Sequence, residues 1–382
     1  MADGITQVVH QQTRTLVKKG YDVTVYTSNA LDLHGGKGSK INDSVKYVDG
    51  VKVRYFPYIL RYGTMFFTPS MFNSIRDEVK EFDVIHIHDA RCFQSAVTAY
   101  YSQVYNVPIV YQPHGSFKSY SHGGFLRFLS RGFIDKLYAE RIFRKANRII
   151  ALNQTEAALY RSMGMREEKI EIIPNGIDLT EYSDLPLRGS FKEKYNIPLE
   201  TPLILYLGRI HKIKGINILV KAFAKVIEKV DNVKLVIVGP DDGYLEEIQV
   251  LINNLEIEKN ILITGPLYGK EKLEAYVDAD VYVLPSIYET FPMSVLEAYS
   301  CGKPVIASRV GGLKDLVIDG VTGLLFESEN NEQLVESLLS ILNNNARAEK
   351  MGAKGIEFVE ENFTIEKVVD RLEDIYTEAV IT

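Results

Sequence analysis

The sequence predicts an α/β protein built from two successive Rossmann-like domains, and three observations carry that expectation. Short apolar runs alternate with helix-length amphipathic segments almost throughout, the pattern of parallel α/β construction. The same scheme occurs twice, with a turn-rich break between the two halves. The length, 382 residues, is enough for two domains that each bury a core.

In the first half, strands are expected at Asp22–Thr27, Asp83–His88, Pro108–Gln112, Arg148–Leu152 and Glu171–Pro174. Two β-like runs across Ser44–Phe56 flank Asp49-Gly50, a dipeptide suited to a tight hairpin. The second half predicts strands at Leu203–Leu207, Lys234–Val238, Ile261–Thr264, Val281–Leu284, Val305–Ala307 and Leu324–Phe326. Helices between them are expected at Ile216–Val230, Tyr244–Leu255, Glu271–Ala279, a segment ending near Cys301, and Leu313–Val317. The join falls within Pro174–Leu187, where Pro-Asn-Gly-Ile-Asp breaks the strand. The resulting division is 1–180, 187–360 and a final helix over 361–382 that returns to the first domain.

Composition narrows the function. Hydrophobic residues make up 46% and charged residues 25%, the balance of a soluble globular chain. No apolar run approaches the roughly 18 residues of a membrane span. Only Cys92 and Cys301 are present, so neither a disulfide framework nor a clustered thiolate site is available, and a cytoplasmic location fits. A net charge of −6 argues against general nucleic-acid binding.

Parallel sheets bind ligands beyond the carboxyl ends of their strands, which points to the loops there. Gly208-Arg-Ile-His-Lys-Ile-Lys-Gly215 follows one strand and precedes a helix. Arg209 offers a fork of donors and Lys214 a mobile charge, both suited to diphosphate oxygens. The plainer reading is a solvated basic loop. Ser286–Glu297 follows another strand, with Thr290 as a helix cap and Pro292 in the first turn. Glu289 then lies at the helix mouth and Glu297 about two turns inside. One carboxylate suits sugar hydroxyls and the other a ribose, while backbone N–H groups of Phe291, Pro292's neighbours Met293 and Ser294 suit a phosphate. The competing account is a first-turn Glu favoured by the helix dipole and an exposed mid-helix Glu. In the first half, His114 beside Gly115 ends a strand, as either a structural or a functional histidine.

Together these pieces resemble glycosyltransferase family 4, the retaining enzymes of GT-B fold. The matching segments are GRIHKIKG, PHGS at 113–116, IPNGID at 173–178 and the run from Glu289 to Phe326, with two glutamates separated by seven residues. The resemblance implies two domains facing across a cleft, a nucleotide-diphosphate sugar as donor, and a glycan or lipid-linked acceptor. It assigns Arg209 and Lys214, with Gly208 opening their loop, to the departing diphosphate. Glu289 falls to the transferred sugar, Glu297 to the ribose, and Phe291, Pro292, Met293 and Ser294 to the donor. His114 would contact the sugar or leaving phosphate, and no metal is required. Gly4 matches the second glycine of an N-terminal Gly-Gly loop, with Asp3 in place of the first. Family members have a strand before that loop, so the resemblance implies a first domain lacking its first strand, as from a truncated or mis-started reading frame.

Other signals are weaker. Asp278-Ala-Asp280 imitates a metal-binding acidic motif, but its place at a helix end favours capping and solvation. His86, His88 and Asp89 share a strand end without a convincing further metal ligand. Gly35–Gly38 reads as a loop rather than a P-loop. Phe125–Arg148 carries seven basic residues against Asp135 and Glu140, which suits either an anionic bilayer at the inner membrane face or a core-facing helix with snorkelling cations. Rival readings are a GT-B phosphorylase or epimerase, and a non-catalytic nucleotide-sugar binder.

Overall fold

The computed structural model describes residues 4–30, 44–62, 65–89, 92–116 and 140–381. The chain divides into two compact units, Met1–Gly176 with Ile365–Thr382, and Ile177–Thr364.

In the first unit, helix α1 (Gly4–Lys18) leads into β1 (Thr24–Ser28). Strands β2 (Val45–Val48) and β3 (Val51–Phe56) form the expected hairpin, with Asp49 and Gly50 both at positive φ as a tight two-residue turn requires. β3 also pairs in parallel with β1, giving the order β1-β3-β2. A small hairpin of β4 (Leu60–Tyr62) and β5 (Met65–Phe67) was not foreseen, because three-residue strands are too short to show alternation. After α2 (Pro69–Glu78), a parallel sheet runs β6 (Ile85–His88), β7 (Ile109–Gln112), β8 (Arg148–Ala151) and β9 (Ile170–Ile172) in that order. Its described crossover helices are α3 (Phe93–Tyr105), α4 (Glu140–Lys145) and α5 (Gln154–Ser162).

Alternate residues of these strands feed opposite cores. Tyr111 and Ile149 pack with Phe143 and Tyr160 on one face. Val110 and Ile150 meet Val368, Leu372 and Ile375 of the final helix, Ile365–Ile381, on the other. That helix therefore completes the first unit although it lies at the far end of the chain. The three sheets of this unit, β1-β3-β2, β4-β5 and β6-β7-β8-β9, remain separate among the described residues.

Of the basic stretch expected over 125–148, residues 125–139 lie outside the described residues, as does Gly35–Gly38. In the described remainder, Phe143 is fully buried, Lys145 donates to Gln103, and Arg148 opens β8 and pairs with Glu378. Among the described residues no helix is long and apolar enough to cross a membrane.

The second unit begins with α6 (Ser190–Lys194) and forms one six-stranded parallel sheet. Its elements are β10 (Leu203–Leu207), α7 (Ile216–Val226), β11 (Lys234–Val238), α8 (Leu245–Asn254), β12 (Ile261–Gly265) and α9 (Gly269–Asp278). They continue with β13 (Val281–Leu284), α10 (Met293–Ser300), β14 (Val305–Ser308), α11 (Leu313–Leu316) and β15 (Gly323–Phe326). The order β12-β11-β10-β13-β14-β15 reverses direction between β10 and β13. β13 and β14 are buried along their whole length, as a sheet covered on both faces requires. The two helices α12 (Asn331–Leu342) and α13 (Asn345–Asn362) close the unit.

Asp278 corrects the sequence expectation of solvation. It is fully buried and accepts from the backbone N–H groups of Gly189 and Lys192, so it caps α6 rather than facing water.

Candidate active site

The point where strand order reverses leaves a crevice between the loops after β10 and β13, the usual binding place in such sheets. Those two loops, and the one after β14, are held against each other by backbone. Ile287 N–H donates to the Ile213 carbonyl at 2.8 Å, and Gly312 N–H to the Glu289 carbonyl at 3.2 Å. Glycines permit this approach. Gly215 has φ +66 and a Cβ there would overlap the Pro285 carbonyl oxygen. Gly311 has φ +45 and a Cβ would overlap the Glu289 carbonyl oxygen.

The loops bring Lys214 onto Glu289. Lys214 Nζ donates to Glu289 Oε1, with side-chain exposures of 16% and 9%. Ser286 Oγ donates to the same carboxylate oxygen at 2.9 Å. Arg209 is placed differently: its guanidinium pairs with Asp242 at 2.6 Å and remains about half exposed. Tyr206 donates its hydroxyl to the Arg209 carbonyl at 2.8 Å. Burial, followed by Tyr282 and Glu289, raises the pKa of that phenol, and Arg209 opposes them. Tyr206 therefore stays a neutral donor.

Helix α10 starts at Met293, with Pro292 in the cap position and no capping side chain. This corrects the expectation that Thr290 caps a helix with Pro292 in its first turn. Pro292 adopts extended backbone at ψ 115, which carries the chain into the helix one residue later. Glu297 is accordingly only a little more than one turn inside, rather than two. Nor is it exposed. It is 5% accessible, paired with Lys272 Nζ at 2.9 Å and bonded to the Tyr276 hydroxyl at 3.0 Å. Tyr276 also lies 3.2 Å from the Ser294 carbonyl, and Tyr282 donates to Ser294 Oγ at 2.7 Å. Phe291 and Met293 are nearly buried beside them. Lys272 borders a cavity of about 730 Å³ formed with the segment around Tyr182–Leu187.

Residues 2–181 match the family described as Glycosyltransferase Family 4, and residues 188–358 match that described as Glycosyl transferases group 1. The chain belongs to glycosyltransferase family 4. As a family member it is a glycosyltransferase that uses a nucleotide sugar. A D-inositol 3-phosphate glycosyltransferase of Xylanimonas cellulosilytica is 27% identical over 312 residues, covering 78% of this chain and 72% of the relative. An N-acetyl-alpha-D-glucosaminyl L-malate synthase of Bacillus anthracis is 31% identical over 233 residues, covering 59% and 60%. Two solved structures show the same fold. Sucrose-phosphate synthase of Thermosynechococcus elongatus superposes with TM-score 0.78 at 24% identity, covering 99% of this chain and 94% of its own. Anabaena HepE in complex with UDP-glucose gives 0.72 at 20% identity, covering 86% and 87%. The fold expected from sequence, GT-B with two Rossmann-like domains, is thus the one this glycosyltransferase has.

The first unit of the glycosyltransferase holds Gly4 and His114. Gly4 is the exposed first residue of α1, with open space where a side chain would project. His114 follows β7 at φ +52, and its Nε2 lies 2.9 Å from His88 Nδ1. His86 packs against His88 with centroids 4.0 Å apart and planes tilted by 30°, and its Nδ1 meets the Tyr376 hydroxyl at 2.7 Å. Burial foremost, then the neighbouring rings, lowers the pKa of His86 and His114. Asp89 accepts from Ser116 Oγ at 2.9 Å, away from this stack's ring contacts. Among the described residues no three His, Cys, Asp or Glu side chains are grouped to hold a metal ion.

Sequence reasoning missed the partners. Lys272 and Tyr276 stand four residues apart on one helix face, a spacing visible in the sequence, but nothing there indicates that Glu297 is their target.

Proposed function

We propose that this glycosyltransferase moves a hexose from a nucleotide-diphosphate sugar to an acceptor hydroxyl with retention of configuration, in the synthesis of a cell-surface glycan or glycolipid. The observation that carries the reading is the largely buried Lys214–Glu289 pair across the crevice between β10 and β13. As the bond from sugar to diphosphate lengthens, negative charge grows on the leaving oxygen. Once moved onto the bound diphosphate, a lysine in a poorly solvated site stabilises that charge without further reorganisation. A diphosphate competes with Glu289 for the ammonium, and the released carboxylate is then suited to accept hydroxyl protons from the transferred sugar. Arg209 reaches the outer phosphate from its exposed position, and the free N–H groups at the start of α10 add a partial positive charge.

Glu297 is assigned to the ribose, with Lys272 and Tyr276 orienting its carboxylate. His114 is assigned to the transferred sugar. Gly208 and the segment Phe291, Pro292, Met293, Ser294 shape the donor seat, and Gly4 contributes backbone to the phosphates. These cationic groups do the work a divalent ion does in other sites, so the reading requires no metal. The acceptor side belongs to the first unit. Retention follows if the leaving phosphate itself receives the acceptor proton, so that both bonds change on one face of the sugar.

The test incubates the full chain with UDP-, GDP- and ADP-sugars, with and without simple glycoside acceptors, in EDTA. Product anomers are read by proton NMR coupling. Acceptor-dependent transfer with the donor's configuration preserved supports the reading. An inverted product, or loss of transfer in EDTA restored by a divalent ion, contradicts it.

A further inference from the structure

We propose that His88 and Glu156 are positioning residues for His114, His88 holding its imidazole and Glu156 the backbone beside it. The inference rests on the assignment of His114 to the transferred sugar and adds what holds that side chain in place.

His114 needs holding. A non-glycine residue at φ +52 lies in the left-handed region, a strained backbone that persists only where its surroundings fix it. The restraint comes from α5. Gly115 N–H, the very next amide, donates to Glu156 Oε1 at 2.7 Å. The other carboxylate oxygen accepts from Leu152 N–H at 2.7 Å, and the Tyr160 hydroxyl donates to Oε1. Glu156 is itself seated by Asn153, whose side chain accepts its N–H at 2.8 Å. The residue is 4% accessible, and burial raises its carboxyl pKa against the pull of those three donors. Among the described residues no lysine or arginine appears among its hydrogen-bond partners. Its oxygens are spent tying the end of β8 to the loop after β7.

The ring has a separate restraint. The His88 and His114 planes lie 19° apart, with Nδ1 and Nε2 at hydrogen-bond distance. One nitrogen of the two must carry the proton and the other a lone pair, so the contact selects a tautomer. His86, itself bonded through Nδ1 to the Tyr376 hydroxyl, packs against the ring of His88. With Nε2 engaged, Nδ1 of His114 is the nitrogen without a hydrogen bond among the described residues, and the one assigned to a sugar hydroxyl.

The test compares kcat and donor KM in the full chain for His114→Ala, His88→Phe, His88→Asn and Glu156→Gln, using whichever donor the wild type turns over. Asn places an amide where Nδ1 stood and keeps the hydrogen bond. Phe keeps the packing and removes it. We expect His88→Phe to lower kcat by about tenfold or more, a loss of at least ~1.4 kcal/mol of transition-state stabilisation. Donor KM should stay within about twofold, and His88→Asn should restore most of the rate. Glu156→Gln can satisfy only one of the two backbone donors and should lower kcat in the same way. On a His114→Ala background, His88→Phe should cost nothing further. Wild-type kcat in His88→Phe beside a damaged His114→Ala would overturn the positioning role alone. An undiminished His88→Phe loss on the His114→Ala background would do the same. A His114→Ala variant with wild-type kinetics would instead sink the assignment of His114, and the clamp with it.

Discussion

The two units solve the same problem, polar side chains gathered at the carboxyl ends of parallel strands, in opposite ways. In the second unit the charges stay and are paired: Lys214 with Glu289, Lys272 with Glu297, both carboxylates nearly buried. In the first, His86, His88 and His114 form a stack in which burial and mutual proximity disfavour any charge. A site of paired charges is suited to an incoming anion, because one partner can be exchanged for the ligand. A neutral stack of rings is suited to hydroxyls, which need a donor or an acceptor in a fixed place but no net charge. In the function proposed above, the paired charges would meet the leaving diphosphate and the neutral rings a sugar hydroxyl.

The comparison can be broken on either side. The largest effect should come from Glu289→Ala. It removes the proposed sugar contact and leaves Lys214 without its buried partner, so kcat should fall by roughly 10²–10³. Breaking such a pair also costs about 3–5 kcal/mol of stability. Both are measurable, by nucleoside-diphosphate release and by urea denaturation. A variant with normal kcat would remove Glu289 from the reaction.

A smaller effect sharpens the other side. The three histidines are harder to protonate in the folded than in the unfolded chain, whose ordinary value is 6.5. Their contribution to stability is complete above that value. As pH falls below it the unfolded state takes up protons first, so stability declines. The slope is at most ~1.4 kcal/mol per pH unit for each histidine, reduced because all three keep some accessible surface. Urea midpoints from pH 7 to pH 5 should fall, and His86→Phe should flatten the curve. A wild-type profile without slope would contradict the neutral stack.

Much of this was legible in the sequence, and unequally. The strands of the second unit could be read directly, because runs such as Leu203–Leu207 and Val281–Leu284 are continuous and apolar. The residues Lys214 and Glu289 could be named from loops after those strands, but their direct contact could not. It depends on Gly215 and Gly311 letting three loops close on one another. The start of α10 was misplaced because Pro292 serves equally as a first helical residue and as the residue before it. Glu156 was invisible for another reason. A glutamate in a helix reads as solvated, and only the fold shows that its carboxylate turns inward onto the amides of Leu152 and Gly115.

The central claim is that Lys214 is the group exchanged from Glu289 to a diphosphate. Thermal unfolding of wild-type, Lys214→Ala and His114→Ala chains with UDP, GDP or ADP tests it directly, since a ligand of the folded state raises the melting temperature. At least one nucleoside diphosphate should stabilise the wild type and His114→Ala alike, and that shift should vanish in Lys214→Ala. A Lys214→Ala protein stabilised as strongly as the wild type would contradict the account.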